Sequence, residues 1–230
     1  TRIIRQLAEE TGATAYLFFL AVFYVFLFKV SGQEDIVIGT DVAGRRSRDL
    51  ENIIGMFVNT VALRNRPTGE AVFKEFLEQV KQGTLQAFEN QDYQFDDLVD
   101  KVVKVRDISR NPIFDVMFAF MEDHGVTPEE PDEPEPVPEI QDFSRLELQG
   151  NRTSKFDLLF SGNLNGNELT FTVEYCTDLF KADTIRQFIR YFTEITNAVI
   201  ENLDIRLDDI EISHRLMAAD TSVADIDFDF

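Results

Sequence analysis

Residues 13–28, ATAYLFFLAVFYVFLF, carry no charge, and whether they cross a membrane or fill a core decides what kind of protein this is. A membrane-spanning helix needs about 20 consecutive apolar residues. This run falls short of that, is closed by Lys29, and lacks the basic leading region of a secretory signal. A helix that is apolar all round and too short to span belongs inside a globular core. The reading is a buried helix over 13–30 against which the other elements pack. Before it, Ile3 to Glu10 predicts a helix that Thr11-Gly12 ends.

Composition agrees with a packed core. The chain has 230 residues, 44% of them hydrophobic, with 22 Phe and no Trp, so aromatic rings and aliphatic chains must fill the interior. A formal net charge of -20 argues against nucleic acid and against an anionic membrane surface as partners. Cys176 is the single cysteine, which excludes an internal disulfide and a thiolate metal site and fits a reducing cytosol. His124 and His214 lie in polar segments without a second ligand nearby, so no metal site and no histidine general base is expected.

After the turn at Ser31 to Asp35, Ile36 to Gly39 predicts a short strand covered on both faces. Thr40 to Arg48 is a loop in which Gly44 allows a tight path and Arg45, Arg46 and Arg48 concentrate positive charge. Two readings of these arginines stand: guanidinium forks for a phosphate, or pairing with neighbours such as Asp41, Asp49 and Glu51. Ile53 to Arg64 (IIGMFVNTVALR) opens as a buried apolar turn and runs on as a strand over 60–64. Asn59 and Thr60 interrupt its apolar run, and so must be hydrogen-bonded, exposed at a strand end, or facing a channel.

Pro67-Thr68-Gly69 marks a turn before an amphipathic helix over 70–89 that Gly83 weakens locally. Asn90 and Asp92 are placed to cap helix ends, and a shorter helix follows from Phe95 to Val103. Pro112 stops any helix there, and residues 113–120 predict a strand whose Asp115 needs a partner such as Arg106 or Arg110. Residues 122–142 are acidic and proline-rich and predict a solvated connector, mobile on its own. Strands over 155–164 and 169–175 flank an Asn165-Gly166 hairpin signal, and a helix follows over 182–201. The fold class is therefore α+β, a mixed sheet of about five strands with packed helices.

Three blocks carry a family resemblance. Ile54, Gly55, Phe57, Val58, Asn59, Thr60 and Arg64 match an I-G-x-F-V-N-T-x-x-x-R signature. Asn90-Gln91-Asp92-Tyr93-Gln94-Phe95-Asp96 is similar to H/N-Q-D-Y-P-F-E, with Gln94 where proline is usual, and Arg106-Asp107-Ile108-Ser109-Arg110-Asn111-Pro112-Ile113 to R-D-x-S-R-N-P-L. Together and in order they resemble the C-terminal half of nonribosomal peptide synthetase condensation domains. The family's H-H-x-x-x-D-G catalytic motif is absent from these 230 residues.

The resemblance implies one lobe of a chloramphenicol acetyltransferase-like fold over 1–212, with 122–142 as a latch reaching a partner lobe and 213–230 as linker or tail. It implies that Asn59, Thr60, Phe57 and Gly55 line a tunnel, and that Gly39, Gly44 and Arg45 belong to a floor loop, in which Asp41 replaces the usual proline. Arg64, Asn90, Gln91, Asp92, Arg106, Asp107, Arg110 and Asn111 are then structural motif residues.

The implied activity is peptide-bond formation between aminoacyl and peptidyl thioesters. The substrates ride on the phosphopantetheine of partner carrier proteins, with an adenylation domain downstream and no cofactor on this chain. With no catalytic residue to assign, the chain is expected to be inactive without its N-terminal lobe. It should expose apolar residues near Met56 and Phe57 and self-associate when isolated. The alternative is a non-catalytic lobe that binds a carrier protein or a partner lobe; an epimerisation-domain lobe is disfavoured by the F-V-N-T block.

Overall fold

Helix α1 (Ala15–Ser31) forms where the uncharged run predicts it, and both ends have a physical cause. Thr14 caps the start from an extended backbone, its Oγ1 accepting the Leu17 N–H at 3.3 Å. Gly32 closes the end in the left-handed conformation at φ 67°, donating its N–H to the Phe28 carbonyl at 2.8 Å. Every residue from Leu17 to Leu27 is buried. Among the described residues no helix is long and apolar enough to cross a membrane.

The computed structural model describes residues 7, 10–45, 48–50, 53–105, 107, 110–123, 154–166 and 168–213. Among the described residues five strands, β1 (Ile36–Val42), β2 (Asn59–Asn65), β3 (Val116–Asp123), β4 (Leu158–Asn165) and β5 (Glu168–Tyr175), make one mixed sheet in the order β2-β1-β3-β4-β5. β2 runs antiparallel to β1 and β5 antiparallel to β4, while β1, β3 and β4 are mutually parallel. Helices α2 (Phe73–Glu89), α3 (Phe95–Val102) and α4 (Ala182–Glu201) complete the α+β architecture that the sequence predicts.

α1 lies on the sheet between α2 and α4. It packs against both helices and against β1 and β3, which is why a helix without a polar face is stable there. The core at this layer is aromatic. Phe23 stands 4.8 Å from Phe160, 5.3 Å from Phe118 and 5.8 Å from Phe26, and Phe192 of α4 closes on Phe160 and Phe171 at 5.3 and 5.1 Å. Gly162 makes room for it, because a Cβ there would lie 2.3 Å from the Phe120 ring. Two tyrosines find polar partners inside: Tyr24 donates to the Leu63 carbonyl at 2.7 Å and Tyr16 to Thr40 Oγ1 at 3.2 Å. Burial pushes the Tyr16 phenol up to about 12.

Some details differ from the sequence reading. β1 runs on to Val42, and β3 starts at Val116 because residues 110–115 are spent on loop contacts described below. The register pairs Asn165 with Glu168, so Gly166 at φ 55° opens the two-residue connection and Asn165 stays in the strand. Helix α2 runs through Gly83 without a break. A Cβ at Gly83 would meet only Asn65 Oδ1, at 3.7 Å, so Gly83→Ala is expected to raise stability by up to about 1 kcal/mol in urea unfolding. Leu7, Glu10 and Thr11 are helical, whereas the rest of the predicted first helix, His124, His214, Arg106, residues 124–142 of the connector and 214–230 lie outside the described residues.

Candidate functional site

The first two sequence signatures meet at the start of β2, and the joint is Asn59. Its side chain is buried and fully used: Nδ2 donates to the Gln91 carbonyl at 2.7 Å and the Tyr93 carbonyl at 2.9 Å, and Oδ1 accepts the Thr60 N–H at 2.9 Å. Of the three options open to it, Asn59 takes the hydrogen-bonded one. It ties the Asn90–Tyr93 turn to the sheet. Within that turn Asn90 caps α2, donating its Nδ2 to the Gln86 carbonyl at 2.8 Å, and Gln91 Nε2 donates to the Phe88 carbonyl at 2.8 Å. Asp92 occupies the turn between them and α3.

The third signature joins on the other side of the sheet. Ile36, Ile38 and Thr40 of β1 face the helices, so strand alternation points Gly39 the opposite way. The Phe114 ring occupies that place; a Cβ on Gly39 would sit 2.1 Å from it. Phe95 at the start of α3 packs on Phe114 at 5.4 Å, and Phe114 in turn packs on Phe156 at 5.8 Å, which makes a small second layer beside buried Val99 and Met117. Arg110 pairs with Asp115 at 3.0 Å, the partner that Asp115 requires, and Asn111 Nδ2 donates to the Lys155 carbonyl at 3.0 Å. The Asp107 carbonyl accepts the Arg110 N–H. Desolvation raises the nearby Asp157 carboxyl, Asp115 adding to the rise and Arg110 opposing it.

Arg64 holds the far end of β2. Its Nε and Nη2 grip Asp35 at 2.7 and 2.5 Å, and Arg66 adds a contact at 3.3 Å. Hydrogen bonding to Arg64 lowers the Asp35 carboxyl to about 2. A lowered folded-state value stabilises above the ordinary carboxylate range, and the contribution is lost as pH falls from about 4 to about 2. The pair is exposed, so the effect is small. Urea midpoints of the parent and Asp35→Asn should differ at pH 6 and converge at pH 2.

The floor-loop residues come together with the Ile54–Thr60 block. Gly44 is at φ 65° and a Cβ there would lie 1.9 Å from the Phe57 carbonyl oxygen, so only glycine fits. The Arg45 guanidinium stacks 4.3 Å from the Phe57 ring and donates to the Leu50 carbonyl and, at 3.2 Å, to the Gly55 carbonyl. Arg45 thus bonds to backbone and ring, while Arg46 and Glu51 lie outside the described residues. Asp41 is engaged elsewhere, by Thr60. The turn is not buried as its apolar character predicts: Ile53, Ile54, Met56 and Val58 are exposed, which agrees with the exposure expected near Met56, and Phe57 alone of its apolar residues folds inward against Arg45.

Thr60 donates its hydroxyl to Asp41 Oδ1 at 3.2 Å across the β1–β2 pair. Two residues beyond the Gly39–Met117 pair, Asp41 comes level with Ala119, which is paired to Ser161, which is paired to Thr172. A strip of small and polar side chains therefore crosses all five strands on the face away from α1. The Phe95–Phe114–Phe156 layer covers the sheet beside it and leaves the strip itself partly or fully exposed. Desolvation raises the Asp41 carboxyl, and Thr60 and Lys155 oppose the rise.

This arrangement can shape a channel and offer hydrogen bonds; among the described residues it holds no histidine, and no group of His, Cys, Asp or Glu could hold a metal ion. The sequence reading did not foresee the roles of Phe114, Phe156, Lys155 and Ser161. Gly39 in an otherwise apolar strand was the available signal, since a strand glycine often marks close approach by another group.

A family model described as "Condensation domain" matches residues 1–219. The chain is 44% identical over 208 residues to "Gramicidin S synthase 2" of Aneurinibacillus migulanus, which covers 90% of this chain and 4% of that protein. It is 42% identical over 212 residues to "Tyrocidine synthase 3" of Brevibacillus parabrevis, covering 92% of this chain and 3% of the relative. The chain thus spans a small fraction of the length of the curated relatives it matches. A solved four-domain nonribosomal peptide synthetase, bound to AMP and glycine, superposes with TM-score 0.78 at 23% identity, over 94% of this chain and 17% of the other. The first condensation domain of the CDA synthetase superposes with TM-score 0.70 at 16% identity, over 93% of this chain and 44% of the other.

Proposed function

This chain belongs to the condensation-domain family, and from that premise we propose that it is the C-terminal lobe of a nonribosomal peptide synthetase condensation domain, forming peptide bonds only together with an N-terminal lobe. The observation that carries this reading is the open strip Thr60, Asp41, Ala119, Ser161 and Thr172, small and polar side chains aligned across one face of the sheet. The 44% coverage of a solved condensation domain by nearly all of this fold, and the absence of the H-H-x-x-x-D-G motif, support the same reading.

Attack of an amine on a thioester requires aligned reactants, a route for the amine proton and stabilisation of the tetrahedral oxyanion. In this proposal the partner lobe supplies the histidine, and this chain supplies the opposite wall of the tunnel. Thr60 and Asp41 face it, and Asn59 fixes the start of the strand that carries Thr60. Gly55 and Phe57 continue that wall, and Gly39, Gly44 and Arg45 belong to the floor loop beneath. The substrates arrive on the phosphopantetheine arms of peptidyl and aminoacyl carrier proteins, an adenylation domain lies downstream, and the setting is the cytoplasm.

Fusing the N-terminal lobe of a homologous synthetase before Thr1 tests this. The two-lobe protein should form dipeptidyl product on an acceptor carrier protein, and Ala in place of the motif histidine of the added lobe should abolish it. A soluble two-lobe protein that binds carriers but makes no product would favour the non-catalytic binding lobe instead.

A further inference from the structure

The segment between the floor loop and β2 has an unusual division of labour. Its backbone is held tightly: Gly44 abuts the Phe57 carbonyl, and Arg45 stacks on the Phe57 ring while bonding to the Leu50 and Gly55 carbonyls. Its side chains nonetheless point outward, with Ile54 fully exposed, Met56 93% exposed and Val58 exposed. Water gains nothing from such a display, and a loop free to move would turn these groups inward. Val58 continues the outward parity of β2, and Met121, also exposed, lies two residues past Ala119 on the same face of β3. The open polar strip is therefore rimmed by apolar groups at one end.

We infer that Ile54 and Met56 are preformed anchors of the lobe–lobe contact, with Val58 and Met121 as its continuation, and that the occupant of this surface is the N-terminal lobe. The inference rests on the lobe reading above and names the contact that this reading requires. A rim of this kind suits a folded protein surface that closes over the polar strip and seals it from water, with large side chains seated in pockets. The choice of occupant follows from coverage. Nearly all of this fold accounts for 44% of a solved condensation domain, so the remainder of that domain is the surface such a rim would meet. Holding Ile54 and Met56 in place before contact lowers the ordering cost of association.

The test mixes this chain with the N-terminal lobe of a homologous synthetase as a separate protein and measures the complex by sedimentation velocity and titration. The double variant Ile54→Glu with Met56→Glu should weaken the 1:1 complex by about 100-fold or more. Leu179→Glu, at an exposed apolar residue outside the strip and its rim, should not. Both side chains are solvated, so the melting temperature of the double variant should match the parent's, which separates lost contact from lost fold. A double variant that binds the added lobe as tightly as the parent overturns the inference and leaves the lobe reading standing. Parent homodimers that outcompete the added lobe, and that the double substitution dissolves, overturn it in favour of a second copy as occupant. Failure of the parent chain to bind any N-terminal lobe overturns the lobe reading and the inference together.

Discussion

Phe23→Ala is expected to cost about 3–5 kcal/mol, the range for removing a fully buried phenyl ring from a packed core. Phe23 has no exposed surface and stands within ring contact of Phe26, Phe118, Phe160 and Phe192, so its loss opens a void that touches α1, two central strands and α4 at once. The surrounding rings cannot collapse into it without leaving their own contacts. At about 2–4 °C per kcal/mol for a chain of this size, the melting temperature should fall by roughly 10 °C. Urea unfolding of parent and variant measures the loss, and a change below about 1 kcal/mol would mean that α1 is not the centre of the core.

Asn59→Asp should be nearly as damaging, although the side chains have almost the same shape. The amide donates to two backbone carbonyls at 2.7 and 2.9 Å, and a carboxylate in its place would set oxygen against oxygen at both. The expected cost is about 3 kcal/mol, against about 2 kcal/mol for Asn59→Leu, which removes the bonds without adding repulsion. Amide exchange should quicken in both variants at Thr60, whose N–H bonds to Asn59 Oδ1, and in the 90–93 turn. Equal stability of Asn59→Asp and the parent would show that the turn is not tied to the sheet through this residue.

These two residues also mark what the sequence made legible. Phe23 could be placed inside because its helix has no charge to face water and is too short for a bilayer. The strands followed from β-branched and aromatic runs, and the order of the three signatures gave the family. The register across the sheet was not legible, because it depends on which strands become neighbours. Nothing local in Ala119, Ser161 or Thr172 says that they line up with Asp41. The partners of Arg45 are illegible for a related reason: nothing local says that the fold brings the Phe57 ring and the Leu50 and Gly55 carbonyls to its guanidinium. For the turn at Ile53 to Val58 the sequence supports two expectations, burial from its apolar character and exposure near Met56 and Phe57 from the lobe resemblance; burial requires a neighbour, and the described chain supplies one only for Phe57.

The central claim, that this chain is one wall of a catalytic unit and not the whole of it, is tested most directly by the isolated protein in a product assay. Donor and acceptor carrier proteins bearing aminoacyl thioesters are incubated with the chain alone, and dipeptidyl-loaded acceptor is quantified by mass spectrometry against carriers without the chain. The predicted result is product at the carrier-only background, rising only when an N-terminal lobe bearing the histidine motif is added. Dipeptidyl product above background from the chain alone would contradict the account.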